Sequence, residues 1–346
     1  MPYGTKVQKG MDFMQKVTRE LLVNRAKELL SEGVADRVYG WKRGEFAYDV
    51  TPALFTDGDS IERDFVWDDF CGANLSKYLV KETRKPGGKV IVFLKPCDTY
   101  SLAELLTEHR IDREKIYVVG VPCEGMLDVN KIREHAEGIT SVTVGDSVTI
   151  HTLFDGDVTA PRAELLPDRC VHCKSKKHIV FDELIEEDGE VTGADRFDEV
   201  EKLERMTPEE RFAFWQGELS RCIRCNACRD VCPACTCEKC VFDNPNSGVE
   251  NKAAADSFEE KMFHIIRAFH VAGRCTDCGE CSRVCPSRIP LHLLNRKFIK
   301  DINEFYGEYQ AGAEVGSRMP LVDYKEDDIE PGDAVQRAAG RGDGNA

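Results

Sequence analysis

CIRCNACRDVCP (residues 222–233) and CTDCGECSRVCP (residues 275–286) are two copies of one pattern, C-x2-C-x2-C-x3-C-P. The first copy supplies Cys222, Cys225, Cys228 and Cys232 ahead of Pro233. The second supplies Cys275, Cys278, Cys281 and Cys285 ahead of Pro286. Three thiols two residues apart wrap a tight loop around three irons of a cubane cluster, and the fourth, beside proline, usually ligates a neighbouring cluster. A structural zinc site takes four ligands, commonly as two separated pairs, so a triplet plus a single cysteine fits zinc poorly. The repeat therefore predicts two 4Fe–4S clusters and a function in electron transfer.

Eleven of the sixteen cysteines lie between Cys222 and Cys285, so the two runs leave three unexplained. The first run continues as CPACTCEKC, adding Cys235, Cys237 and Cys240. Three readings stay open for them: ligands to another metal, a substitute for Cys232, or buried thiols acting as small hydrophobes. Forty-two residues separate Cys232 from Cys275, and SFEEKMFHIIRAFHVAG (257–273) fills the end of that gap with a helical pattern stopped by Gly273. Before the first run, TPEERFAFWQGELSR (207–221) has an N-cap Thr, a proline at the first helical position and acids in the first turn.

Upstream the character changes. Residues 10–32 carry apolar residues at helical spacing, and Gly33 supplies the stop. RVYGWKRGEFAYDVTPALF reads as short strands or a hairpin, and DDFCGANLSKYLVKET as a helix holding Cys71, where it serves packing. KVIVFL (89–94) and KIYVVGV (115–121) are buried-strand runs separated by the helical TYSLAELLTEH. Strand, helix and strand in that order predict a parallel βαβ unit. Residues 139–153 and 178–193 suggest further strands and a turn. The expected organisation is an α/β domain with a partly parallel sheet over residues 1–200. A mostly helical dicluster domain of ferredoxin type follows over 201–320, and then an acidic, flexible tail over 321–346.

A second cysteine set belongs to the α/β part. Cys97 and Cys123 each follow a buried strand in matching Pro-Cys-acid turns, and adjacent parallel strands bring such turns together at the carboxyl edge of the sheet. Cys170-Val-His-Cys173 adds a chelating pair. Cys97, Cys123, Cys170 and Cys173 are thus candidates for a third 4Fe–4S cluster, against zinc at the same thiolates or unligated core cysteines. His172 reads as a solvated loop residue or as a hydrogen-bond donor that tunes a cluster, the basic run 174–178 as a solvated turn or a dock for an acidic partner or phosphorylated cofactor, and Trp41, Trp67 and Trp215 as core or interface aromatics.

Composition narrows the partners. A formal net charge of −15 over 346 residues argues against nucleic acid, whose binding needs phosphate neutralisation by Lys and Arg. No stretch approaches the ~20 apolar residues needed to span a bilayer, and the polar start MPYGTKVQKG carries no signal core. A cytoplasmic location is expected, where crowded cysteines bind metal more often than they form disulfides. No G-x-G-x-x-G follows a strand and no Walker A motif occurs.

VAGRCTDCGECSRVCPSRIPLHLLNRKF resembles the second half of the α-helical ferredoxin domain of heterodisulfide reductase small subunits, lactate-utilisation iron–sulfur proteins and anaerobic sulfite reductases. That resemblance implies one cluster on Cys222, Cys225, Cys228 and Cys285, and another on Cys275, Cys278, Cys281 and Cys232. IYVVGVPCEG with the later CVHC, supported by FLKPCDTYSLAELL and CIRCNACRDVCPACTC, resembles the beta subunits of deazaflavin-dependent hydrogenases and formate dehydrogenases of methanogens. It implies an electron-transfer subunit of a multisubunit anaerobic oxidoreductase, with partner subunits of hydrogenase, formate dehydrogenase, heterodisulfide-reductase-like or sulfite reductase type. The alternative it implies is a flavin-binding (FAD) subunit that converts hydride to single electrons, although that family's flavin-binding N-terminal region has no match here. A purely structural role for the clusters is the third hypothesis.

Overall fold

The computed structural model describes residues 17–191, 195–244 and 257–322. The start of the expected first helix and nearly all of the acidic tail lie outside the described residues. The chain divides into two compact units: Met1–Thr99 with Ile111–Ala194, and Tyr100–Arg110 with Asp195–Ala346.

The first unit opens with α1 (Arg19–Ser31), whose N-cap Thr18 accepts a hydrogen bond from the Leu21 amide. Its Leu22, Val23, Ala26 and Leu29 are buried at the i, i+3, i+4 spacing of an amphipathic helix. β1 (Arg37–Arg43) and β2 (Val50–Phe55) form the expected antiparallel hairpin. α2 (Gly58–Asp64), β3 (Phe65–Val66) and α3 (Ser76–Glu82) lead to β4 (Val90–Leu94), all five residues of which are buried. α4 (Pro96–Thr107) starts the connection to β5 (Ile116–Gly120), which pairs parallel with β4. α5 (Val129–His135), β6 (Ile139–Val144), β7 (Ser147–Thr152), β8 (Val158–Pro161), α6 (Asp168–Val171) and β9 (Glu183–Leu184) complete the unit. The main sheet runs β2-β1-β4-β5-β9 with β3 paired on β1. Its β1–β4, β4–β5 and β5–β9 pairs are parallel, and β2 and β3 are antiparallel to β1. A βαβ unit in a partly parallel sheet is thus what the buried runs specify. β6, β7 and β8 form a separate antiparallel sheet over Ile132, Val148, Ile150 and Leu165.

One local expectation needs correcting. Residues 68–75 are not helical: Asp68 accepts from the Phe70 amide at 2.8 Å and Asn74 from the Ser76 amide at 3.0 Å, and such side-chain turns compete with helix. Cys71 sits in that turn, fully buried, which agrees with a packing role. Among the described residues of the 178–193 stretch the expected strand is the two-residue β9, and the Asp182 and Asp188 carboxylates take the Val118 and His178 amides. Trp41 and Trp67 are core residues with ring centroids 5.1 Å apart.

In the second unit every described regular element is a helix. α7 (Asp198–Glu204) precedes α8 (Pro208–Ser220), which has the Thr207–Glu210 capping box. α9 (Ala227–Asp230), α10 (Ser257–Val271), α11 (Glu280–Arg283) and α12 (Leu291–Tyr306) follow. Leu219, Phe242, Phe263, Ile289 and Leu291 form its core together with Cys228, Cys281 and Cys285. Apolar packing and the cysteine pattern are therefore one structure.

Candidate metal centres

The two cysteine runs fold alike, residue for residue. Arg224 and Asp277, each two positions after the first cysteine of its run, have φ of 53° and 55°. Asn226 and Gly279, two positions further on, have φ of 62° and 66° and lead into the single-turn helices α9 and α11. Left-handed residues alternating with right-handed ones turn successive amides to one side, a concavity suited to anions and to iron–sulfur sites. The amides do reach sulfur: Arg224 N–H donates to Cys222 Sγ at 3.4 Å, and Ile289 N–H to Cys285 Sγ at 3.4 Å. Amides of Asp277, Glu280 and Ser282 likewise favour thiolates at Cys275, Cys278 and Cys281.

The thiols are arranged crosswise. Burial pushes the Cys228 thiol up, and the sulfurs of Cys285, Cys225 and Cys232 push it further. Cys222, Cys225, Cys228 and Cys285 line one space open to solvent, with Phe263 and Ile289 in its wall. Burial also pushes up Cys275 and Cys278, and the first-run thiol that both feel is Cys232. Cys281, pushed up to about 12 by burial, feels Cys232 and Cys228. Among the described residues no three His, Cys, Asp or Glu side chains converge as they would on a single ion. Cys222, Cys225, Cys228 and Cys285 instead line a space, as donors to a cluster must. A buried thiolate is costly, and cationic iron in place of the proton removes that cost, so the donor chemistry fits iron–sulfur clusters.

Four residues that carry no motif surround these thiols. His264 on α10 is buried, with Nε2 3.2 Å from Cys222 Sγ. Burial, then the charges of Arg267 and Arg224, pushes His264 down to about 3, so its ring is neutral. The tautomer of the neutral ring sets whether Nε2 donates to Cys222 Sγ or accepts from its thiol. Arg267, one turn on, donates from Nη2 to the Cys228 carbonyl at 2.9 Å. On α12, Asn295 Nδ2 lies 3.7 Å from Cys281 Sγ, and Arg296 holds Asp277 at 2.9 Å in a buried ion pair. The sequence signal for them is polar residues on otherwise apolar helical stripes, Phe263-His264-Arg267-Ala268-Val271 in one case.

The α/β unit brings its own cysteines to the carboxyl edge of β4 and β5. Cys97 lies in the first turn of α4, directly after β4, rather than in a free turn. Cys123 lies in the loop after β5. Gly125, at φ 97°, donates its amide to Cys123 Sγ at 3.4 Å, and a Cβ there would lie 3.7 Å from Cys170 Cβ. That turn sets Cys123 beside Cys170. Burial pushes Cys123 up to about 12, with Cys170 adding to it, and burial pushes Cys97 well above the ordinary thiol value. Lys95, fully buried, donates to the Cys71 and Ala73 carbonyls at 3.0 Å each, pairs with Asp98 at 2.8 Å, and is felt by both thiols. Lys176 donates to the Cys123 carbonyl. His172 and His178 are buried rather than solvated: His172 Nε2 lies 3.4 Å from Asp168, and His178 bonds Asp188 and the Leu94 carbonyl. A basic run read as a solvated turn therefore partly lines the thiol set.

Residues 218–289 match the 4Fe-4S dicluster domain family, which implies two 4Fe–4S clusters on this chain. The chain is a distant homologue of the F420-dependent formate dehydrogenase subunit beta of Methanocaldococcus jannaschii. The two are 24% identical over 334 residues, spanning 79% of this chain and 87% of that subunit. The F420-dependent formate dehydrogenase 1 subunit beta of Methanococcus maripaludis is 23% identical, over 62% of this chain and 72% of its own length. A chain of the F420-reducing nickel–iron hydrogenase complex from Methanosarcina barkeri matches 48% of this chain and 69% of its own length, at 16% identity and a TM-score of 0.35. No helix among the described residues is long and apolar enough to cross a membrane.

Proposed function

We propose that this chain is the electron-transfer iron–sulfur subunit of a multisubunit cytoplasmic oxidoreductase of the formate dehydrogenase or hydrogenase kind. The crosswise arrangement of the thiols carries this reading. It supports one cluster on Cys222, Cys225, Cys228 and Cys285, and a second on Cys275, Cys278, Cys281 and Cys232. A third, on Cys97, Cys123, Cys170 and Cys173, is supported by the turn that sets Cys123 beside Cys170. The division of labour is an α/β domain (1–200) bearing the third cluster and a helical domain (201–320) bearing the other two. When bound, such clusters take up and release one electron at a time. The chain's own groups supply the buried thiolates, the amide and side-chain donors to sulfur, and the buried lysine that offsets thiolate charge. Anaerobic purification of the native protein tests the reading. It should elute with the catalytic component of a formate dehydrogenase or hydrogenase. Elution alone, with no redox partner, contradicts it.

A second reading has one observation in its favour: the similarity to F420-dependent subunits runs through 79% of the chain, well beyond the dicluster segment. In that reading the α/β domain also binds FAD and exchanges hydride for single electrons. Flavin released on denaturing the complex supports it, and a flavin-free active complex removes it.

A further inference from the structure

His264 on α10 is 2% exposed. The nitrogens of a buried ring are ordinarily both hydrogen-bonded, since an unpaired one bears the full cost of leaving water. His264 departs from that pattern. Its Nδ1 is buried without a hydrogen-bond partner, and its Nε2 lies 3.2 Å from Cys222 Sγ. That is the ring's single hydrogen bond among the described residues. Packing alone gives no reason for it: an apolar side chain of similar volume would fill the space without stranding Nδ1. The placement is fixed on both sides. Phe263, the residue before, packs in the core with Cys228, Cys281 and Cys285, and the Arg224 guanidinium of the first cysteine loop lies over its ring at 4.1 Å. Arg267, about one turn on, donates to the Cys228 carbonyl at 2.9 Å. These contacts hold α10 against the first loop and bring the ring to that sulfur.

We propose that His264 is a positioning residue for the cluster on Cys222, Cys225, Cys228 and Cys285: its Nε2–H, donated to Cys222 Sγ, raises the potential of that cluster alone. The inference rests on the ligand sets proposed above. A sulfur bound to iron has no proton to give, so Nε2 carries the hydrogen and the unpartnered Nδ1 keeps its lone pair. Reduction adds one electron and raises the negative charge on the ligand sulfurs. The hydrogen bond then strengthens, which favours the reduced form. The proton stays on Nε2, so the step moves an electron alone. The second set takes its side-chain contact from a different helix, Asn295 Nδ2 on α12 lying 3.7 Å from Cys281 Sγ.

The test is a redox titration of the intact complex followed by EPR, with iron and sulfide counted in the same samples. In His264→Phe, which fills the space without a donor, one midpoint potential should fall while the others hold. The expected size is about tenfold in the reduction equilibrium, or about 59 mV for one electron. His264→Gln, whose amide can donate from the same place, should bring that potential back toward wild type. Full iron with an unchanged potential in His264→Phe overturns the proposal. So does an equal fall in both variants, or movement of two clusters. Should the variants lose iron, the wild-type complex decides. Labelled with heavy-nitrogen histidine and reduced, it should show a weak nitrogen coupling on one cluster by pulsed EPR, with a proton coupling that disappears in heavy water. Absence of the nitrogen coupling overturns the proposal. A wild-type complex lacking two reducible clusters in the helical domain would instead defeat the underlying ligand assignment.

Discussion

At the scale of single residues, the cysteines of the two runs have unequal duties. Cys281 is buried in the apolar core of the helical domain and accepts from its own loop and from Asn295. Cys281→Ser should strip the second-run cluster, about four irons, and block electron flow through the complex; unchanged iron and sulfide would overturn its assignment. Gly125 is a second pressure point. Alanine there must adopt a φ of 97° with its Cβ 3.2 Å from Leu166 Cδ2, which should cost about 1–3 kcal/mol. The denaturant midpoint should fall at constant slope, and a midpoint equal to wild type would contradict the strain. Glu104 gives a pH signature: burial, then Glu108, pushes its carboxyl from 4.5 up to about 7. A folded value above the unfolded one means the folded chain binds the extra proton. Its contribution to stability is therefore full below about pH 4.5 and lost as pH rises through about 7. The melting temperature should decline over that window and decline less in Glu104→Gln; equal slopes would refute the assignment.

At the scale of elements, local chemistry explains both what the sequence discloses and what it hides. α8 is legible because its capping box, its proline and its acids all agree. Thr207→Ala should destabilise it by about 1 kcal/mol, readable as a lower unfolding midpoint with iron content retained. β4 and β5 are legible because each is a short, continuous apolar run, the mark of strands buried on both faces. α12 is harder to read, since Asn295 and Arg296 interrupt its buried stripe of Leu291, Leu293, Ile299 and Ile302. Those two polar residues contact Cys281 and Asp277 of the second cysteine run, so the feature that blurs the pattern is the one that reaches the candidate metal centre. The ligand spacing was open in the sequence, whereas His264, Arg267 and Lys95 were not, because a buried polar residue has no spacing rule of its own. The turn at 68–75 carries a helical pattern but is not helical for a related reason: Asx side chains overrule periodicity locally.

At the scale of the whole molecule, two architectures share one chemical theme. The parallel strands β4 and β5 end at Cys97 and Cys123, and the paired single-turn helices α9 and α11 end at the crosswise thiols. Homology to formate dehydrogenase beta subunits spans most of the chain, so both parts belong to one inherited plan. The central claim is that this plan is a set of redox-active clusters and not a metal staple. An anaerobic redox titration of the native complex, followed by EPR and paired with iron and sulfide counts, tests it most directly. The expected result is reversible one-electron reduction of clusters totalling about twelve irons on this chain, about four of them lost in Cys123→Ser. Zinc in place of iron, or clusters that stay oxidised throughout the titration, would contradict it.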